Sequence, residues 1–289
     1  MVSLCFIWGG NIAVIKVSNQ GIPPLYAVSF RGIVASLVLG GFLLLTRQPL
    51  IHRDRRLKQG LILALLFALD FLFTYWGTAY TSASRAVIFL YTQPLWTALG
   101  AHFLLRGDRL TPMKSIGLLV AFGGMASVFF AYPGADLSGY WVGDLMEVAA
   151  ALAWAGTTLY LKVVLIEGGM NEVSALFYQV LFSLPLLIGV ALVVERGSQI
   201  SLSVEVVAAF AFQTIVPTAS YLVWFAMIQR FRVSQLSAFT LLAPPFGVLV
   251  ATLMLGEPVG WPLLLGLALI TFGIYVVIAP RPRVRQRAE

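Results

Sequence analysis

Ten stretches of mostly apolar residues run almost end to end through this chain, separated by short clusters of Arg, Lys, Pro, Gly and acids. They cover about 1–18, 24–46, 58–80, 83–105, 111–132, 141–163, 171–194, 203–229, 233–255 and 260–279. A bilayer core is about 30 Å thick, and a helix needs about 20 apolar residues to cross it. Runs such as 61–68 and 263–270 do not alternate apolar with polar residues, as the strands of a membrane barrel would. The expected fold is therefore an all-α polytopic membrane protein with ten transmembrane helices. The connections leave no room for a separate soluble domain.

Composition closes the other routes. Charged residues are 11% of the 289 and hydrophobic ones 60%, against about 25% and about 45–50% in soluble proteins. A soluble body of this size has no charged shell to draw on here, which excludes a cytosolic enzyme, a disordered chain and a nucleic-acid binder. The single cysteine, Cys5, excludes an intramolecular disulfide and a Cys-rich metal site. No metal or cofactor is expected. The first stretch lacks the basic start and small-residue cleavage site of a secretory signal. Trp8-Gly9-Gly10-Asn11 also interrupts its apolar run, so it reads as a genuine span.

The cations set the orientation. With ten spans, fifteen of the nineteen Lys and Arg fall on the face that holds both termini; Lys16, Arg85 and Arg196 fall on the other, and Arg31 lies inside span two. Both termini are expected on the cytoplasmic side of the inner membrane. The basic tail 281–289 reads as an anchor at anionic headgroups.

The halves of the chain resemble each other at an offset near 148. Trp8, Gly10 and Lys16 match Trp154, Gly156 and Lys162; Arg31 aligns with Gln179 and Trp76 with Trp224; Ser84 and Pro94 align with Ser234 and Pro244. Gly107-Asp108, Gly117 and Gly124 align with Gly256-Glu257, Gly266 and Gly273. Five spans per half is an odd number, so the second copy is inverted in the membrane, as in many secondary transporters. The units are expected at 1–136 and 137–280.

The same residues resemble the drug/metabolite transporter superfamily, in its EamA-type ten-helix members. The resemblance rests on Trp8-Gly9 with Lys16, Pro23-Pro24 with Arg31, Gly143-Asp144 leading into Ala149–Ala155, Pro94 with Pro244, and Gly256-Glu257-Pro258 with Gly266 and Gly273. It covers nearly the whole chain. It implies two inverted five-helix bundles around a central cavity and efflux of metabolites or amino acids, with the aromatic amino-acid branch among the amino-acid exporters. Two features depart from the pattern: Gly107-Asp108 stands where the second half has Gly-Glu, and span one has no cytoplasmic lead.

Ionisable groups inside a bilayer must face a cavity or a partner. Arg31 either pairs with a buried acid or carbonyl, or holds a substrate carboxylate bidentately. Asp70, in mid span three, either carries a coupling proton or packs as a neutral acid. Glu147 faces the bundle, Asp144 reads as a cap at the start of span six, and His102 sits at the cytoplasmic interface. Deep aromatics give an amphipathic ligand an apolar wall with polar handles: Tyr75, Trp76, Tyr91, Trp96, Trp154, Tyr178, Tyr221 and Trp224. Asn11, Gln93, Thr157, Thr158, Gln179, Gln213 and Gln235 are candidate hydrogen-bond partners. For each of these, simple packing is the competing role. Pro94, Pro244, Pro185 and Pro217 interrupt helix bonding in mid-span and are candidate gates.

The expected function is export of small amphipathic metabolites, most of all amino acids, by alternating access, with protons as a candidate coupling ion. A multidrug or other metabolite carrier is the alternative. No Gly-x-x-x-x-Gly-Lys-Ser/Thr loop is present. Neither the motifs of a membrane protease nor a channel filter occurs. The sequence leaves the oligomeric state open.

Overall fold

The computed structural model describes residues 1–52, 54–104, 111–129, 140–166, 169–231 and 239–278. The helices are α1 (Val2–Ser18), α2 (Pro24–Leu45), α3 (Arg55–Tyr80), α4 (Ala83–Leu90), α5 (Gln93–Leu104), α6 (Pro112–Phe129), α7 (Tyr140–Ile166), α8 (Glu172–Val194), α9 (Val204–Arg230), α10 (Ala243–Leu255) and α11 (Trp261–Ile278). A 3₁₀ turn, Thr240–Leu242, precedes α10. Span boundaries at the 136/137 junction, Arg53, Gly107-Asp108, Ser234, Gln235 and the 281–289 tail lie outside the described residues.

Local chemistry sets the helix ends. Pro24 opens α2, where its missing N–H costs nothing. Asp54, Asn171 and Ser203 cap α3, α8 and α9 by accepting from Arg56 N, Ser174 N and Val206 N. α10 ends at Gly256, whose φ of 66° belongs to the left-handed region that glycine adopts freely. Five helices, α2, α3, α7, α8 and α9, are long and apolar enough to cross a bilayer; α1, α6, α10 and α11 are shorter apolar helices. Side chains such as Leu37, Leu45 and Leu253 stand exposed around the bundle, an apolar coat suited to lipid.

Span four is broken. Its residues form α4 and α5, with Tyr91 and Thr92 outside both and Pro94 in the first turn of α5. Pro244 stands likewise in the first turn of α10, behind the 3₁₀ turn. Pro185 and Pro217, expected to interrupt their spans, lie inside continuous helices; each proline lacks only its own N–H, and the helix runs on through it.

The packing is two-fold. The neighbour pairs α3–α7 and α1–α9 exchange when the halves are swapped; so do α4/α5–α7 and α1–α10, and α3–α8 and α2–α9. The pairs α2–α8, α6–α11 and α4–α10 map onto themselves. At the α6–α11 crossing, a Cβ on Gly273 would meet Gly117 O at 2.5 Å, and one on Gly124 would meet Gly266 O at 2.9 Å. Gly117 and Gly266 are repeat mates, as are Gly124 and Gly273, so these two close approaches are images of each other. Small residues let backbones touch where lipid gives no hydrophobic drive.

One end of the bundle, where α1 and α3 finish and α2, α4 and α7 begin, is tied across the chain. Lys16 Nζ donates to Thr81 O. Glu195 accepts from Leu25 N and Tyr26 N at 2.9 and 3.0 Å, and Glu257 from Ala83 N and Ser84 N at 2.7 and 2.9 Å. Both acids meet free N–H groups at a helix start, where the dipole favours negative charge. Burial pushes the Glu195 carboxyl above the usual carboxylate range, against the downward pull of the two amides. Asp144 does not cap its own helix. It lies in the second turn of α7, buried, and accepts from Thr81 Oγ1 at 2.7 Å and from the Arg85 guanidinium through both oxygens. Arg85, counted from sequence as a loop cation, is buried in α4 and also donates to Val128 O at 2.7 Å.

Removing one partner of a buried pair leaves an uncompensated charge. Arg85→Ala should therefore lower stability by about 3–5 kcal/mol, read as thermal unfolding in detergent, and the double variant Arg85→Met/Asp144→Leu should regain most of that loss. A single variant as stable as the unaltered protein would contradict the pairing.

Candidate functional site

A cavity of about 460 Å³ of space not filled by atoms lies between α1, α2, α3, α7 and α9 and the α4/α5 break. Its polar members are Asn11, Arg31, Asp70 and Thr74; Trp8, Phe71, Tyr91, Trp154 and Tyr221 form much of its wall. A second lobe of about 340 Å³ shares Arg31, Phe71 and Tyr221 with the first and is otherwise mostly apolar, lined by Val28, Phe67, Leu176, Val180 and Leu187, with the hydroxyls of Ser183 and Thr218.

The repeat explains where the cavity sits. Trp8 and Trp154 are repeat mates, and their rings meet edge to face at 6.0 Å. Equivalent residues touch only near the pseudo-two-fold axis, so the cavity lies on it. Trp8 also stacks on Tyr221 at 5.6 Å and donates from Nε1 to Ser220 Oγ at 2.6 Å. Tyr91 crosses Trp154 at 5.4 Å. Tyr91 reaches this place because α4 ends before it: the broken span delivers its ring to the cavity.

Arg31 is the buried cation of the site. Its Cζ stands 4.6 Å above the Phe71 ring, and Nη1 donates to Tyr75 Oη at 3.3 Å. Tyr75 donates onward to Gln213 Oε1 at 2.6 Å, and Gln213 Nε2 to Ser18 Oγ at 2.8 Å. This relay orients the guanidinium through neutral groups. Among the described residues no carboxylate lies within 4 Å of Arg31. Asp70 accepts one long bond, 3.4 Å from Thr74 Oγ1, and Asn11 Oδ1 is buried with no partner. The site thus holds a cation with donors to spare beside two under-used acceptors.

The sequence-derived candidates divide. Asn11, Arg31, Asp70, Tyr91, Trp154 and Tyr221 line the cavity, and Tyr75 stands behind Arg31. Trp224 backs Trp8 at 5.2 Å. Gln93 Nε2 is engaged with Thr97 at 2.8 Å and Thr158 at 3.3 Å. Thr157 bonds Ala153 O within α7. Trp76 is half-buried against Tyr80, and Trp96 bonds Thr92 and packs on Phe122. Tyr178 accepts from His52 N and fills the space beside Gly60. Gln179, the mate of Arg31, is buried with Nε2 unpartnered. None of these last seven, from Trp224 to Gln179, lines either lobe. Pro94 and Pro244 stand at the breaks rather than in the wall. Trp8 and Thr74 are site residues that composition alone passed over. Trp8 was visible as the mate of Trp154, and Thr74 as the residue one turn after Asp70.

The family model described as the EamA-like transporter family matches residues 1–130 and again 141–279, one copy per half. An uncharacterized transporter, YvbV, of Bacillus subtilis is 25% identical over 280 residues, covering 95% of this chain and 88% of that protein. A probable amino-acid metabolite efflux pump of Salmonella typhimurium is 26% identical over 288 residues, covering 93% and 90%. A crystal structure of a protein superposes with a TM-score of 0.61 at 19% identity, covering 95% of this chain and 98% of that one, which shows the shared fold. The chain belongs to the EamA-like transporter family, a ten-helix membrane fold of the drug/metabolite transporter type.

Proposed function

We propose that this protein exports small zwitterionic metabolites, amino acids above all, across the inner membrane by alternating access. One observation carries the reading: the under-satisfied pair of Arg31 and Asp70 on the axial cavity, beside a mostly apolar lobe whose one charged member is Arg31 itself. A guanidinium with free donors suits a carboxylate. Asp70 and Asn11 Oδ1 suit an ammonium, with the faces of Trp8, Tyr91 and Trp154 adding cation–π attraction. The apolar lobe takes the side chain. The names of the Salmonella and Escherichia coli relatives, amino-acid metabolite efflux pumps, point the same way.

The cation distribution supports both termini on the cytoplasmic side, which puts the tied end outside. The cavity is then closed toward the exterior by the Lys16, Glu195, Glu257 and Arg85–Asp144 contacts. Opening there requires α3 and α4 to part from α7 and α10. The breaks before Pro94 and at Pro244 are the hinges we assign to that motion, since a broken helix bends without losing further bonds.

Counterflow of radiolabelled amino acids in proteoliposomes tests the site. Arg31→Gln should lower counterflow about 10–100-fold, the equivalent of losing one charge-assisted contact. A decarboxylated analogue should compete poorly with the unaltered protein and no worse with the variant. Full activity in a folded Arg31→Gln protein would defeat the assignment. Trp154→Phe should also weaken counterflow, whereas Trp96→Ala, outside both lobes, should leave it within about twofold. The reverse ranking would place the substrate elsewhere.

A further inference from the structure

Glu147 is fully buried in α7, and neither of its carboxyl oxygens has a hydrogen-bond partner. The substrate site does not use it. Helical spacing fixes where it lies. On α3 the cavity residues Asp70, Phe71 and Thr74 continue at intervals of three and four to Gly77 and Thr78 and on to Thr81. On α7, Trp154 lines the cavity, and two turns before it on the same stripe stands Glu147, followed outward by Asp144. The stripes meet at Gly77: a Cβ there would come within 3.0 Å of Glu147 Oε1. Glycine leaves the space that the carboxyl occupies.

Glu147 thus sits between the cavity and the tied end. It is about 10 Å along α3 from Asp70, at 1.5 Å per residue, with Thr74 between them. Immediately beyond it the Thr81–Asp144–Arg85 contact closes the bundle. The charged groups acting on it are Asp70 from α3 and Asp144 from α7 itself. α4 brings Arg85, which is committed to Asp144; Tyr140 stands in the first turn of α7, 6.0 Å from Arg85. Tyr91, at the α4/α5 break, and Tyr221, from α9, face Asp70. His102 lies at the opposite end of α5. α1 brings Lys16, which donates to Thr81 O, and neither Lys16 nor Arg85 reaches the Glu147 carboxyl, whose two oxygens have no hydrogen-bond partner. A buried carboxylate without a counter-ion is costly, so the closed state favours the acid.

We propose that Glu147 is the proton-carrying site of the export cycle. The step rests on reading the chain as an amino-acid exporter with its tied end outside. When α3 and α7 part at that end, Glu147 meets external water and takes one proton. Reclosure traps the neutral acid. When the cavity opens to the cytoplasm, the proton passes by way of Thr74 and Asp70 to internal water, and a new zwitterion enters. One proton moves inward for each zwitterion moved outward; Thr74 and Asp70 relay the proton and end the cycle in the form in which they began it.

The test uses the full chain in proteoliposomes with radiolabelled phenylalanine and an internal pH dye. In Glu147→Gln, phenylalanine flux driven by a pH gradient should fall about tenfold or more, and phenylalanine-evoked proton movement should vanish. Counterflow, which needs no net proton transfer, should stay within about twofold of the unaltered protein. Glu147→Asp should keep part of the coupled flux. Gradient-driven flux that survives in Glu147→Gln overturns the proposal. So does a folded variant that loses counterflow as well, which assigns Glu147 to the substrate. Unaltered protein whose counterflow works but ignores a pH gradient overturns it too, while leaving the exporter reading intact. Unaltered protein with no counterflow of any amino acid overturns that reading and this cycle together. Should the variant fail to fold, a hydrophobic carbodiimide, which reacts with protonated buried carboxyls, is applied to the unaltered protein. Peptide mapping should find it on Glu147, less so at alkaline pH; a Glu147 never labelled is the overturning result.

Discussion

Inside a bilayer a free backbone N–H or an unpaired charge finds no water, so each must be met by another part of the protein. That requirement accounts for the tied end. The starts of α2 and α4 are met by Glu195 and Glu257, acids 170 residues from Leu25 and 174 residues from Ala83 in the chain. Asp144 is met by Arg85 and Thr81, and Arg85 in turn reaches Val128 O. Each contact joins elements that are distant in sequence, so satisfying the polar groups also fixes the helices against one another. A buried ion pair adds little net stability relative to apolar packing of the same volume. Its value here is in position: it seats the first turn of α4 and the second turn of α7 beside the end of α3.

The repeat supplies the scaffold, and its broken symmetry supplies the chemistry. Trp8 and Trp154 straddle the axis as equivalents, and the glycine crossings of α6 with α11 are images of each other. The charges are not. Arg31 corresponds to Gln179 at the shared offset, and Asp70 to Thr218. A symmetric pair of arginines on the axis would repel and would bind a dianion; one arginine and one aspartate suit a zwitterion. In the proposed cycle the two-fold scaffold is what exchanges inward and outward states, while the site keeps one orientation of charge throughout.

Much of this was legible in the sequence, for reasons that can be named. A bilayer fixes span length, so the apolar runs marked the helices even where, as in α2, the helical face pattern is weak. Repeated tryptophans and glycines marked the two halves. The site was legible only in part, because which side of a helix faces the cavity depends on rotation about its own axis, and packing decides that. Trp76 and Trp96 lie inside apolar spans as Trp154 does, yet pack on Tyr80 and Phe122 instead. Asp144 stands near a helix start and reads as a cap; its true partner, Arg85, is 59 residues away. The break of span four was signalled by Pro94, but not its consequence, the delivery of Tyr91 to the cavity wall.

The placement of the acids along the α3–α7 seam bears on how the two ends can alternate. Asp70 is open to the cavity, Glu147 is enclosed two turns farther on, and Asp144 is bound to Arg85 at the tied end. Three like charges on one seam would repel, so close packing of α3 on α7 with Asp144 ionised and paired favours a neutral Glu147. Parting the seam, as the proposed cycle requires, would reverse each condition at once: Glu147 would gain water, and Asp144 would lose the enclosure that favours its contact with Arg85. The packing of one pair of helices and the charge of one carboxyl are therefore linked, and a ligand or proton that acts on either one shifts the other by the same free energy.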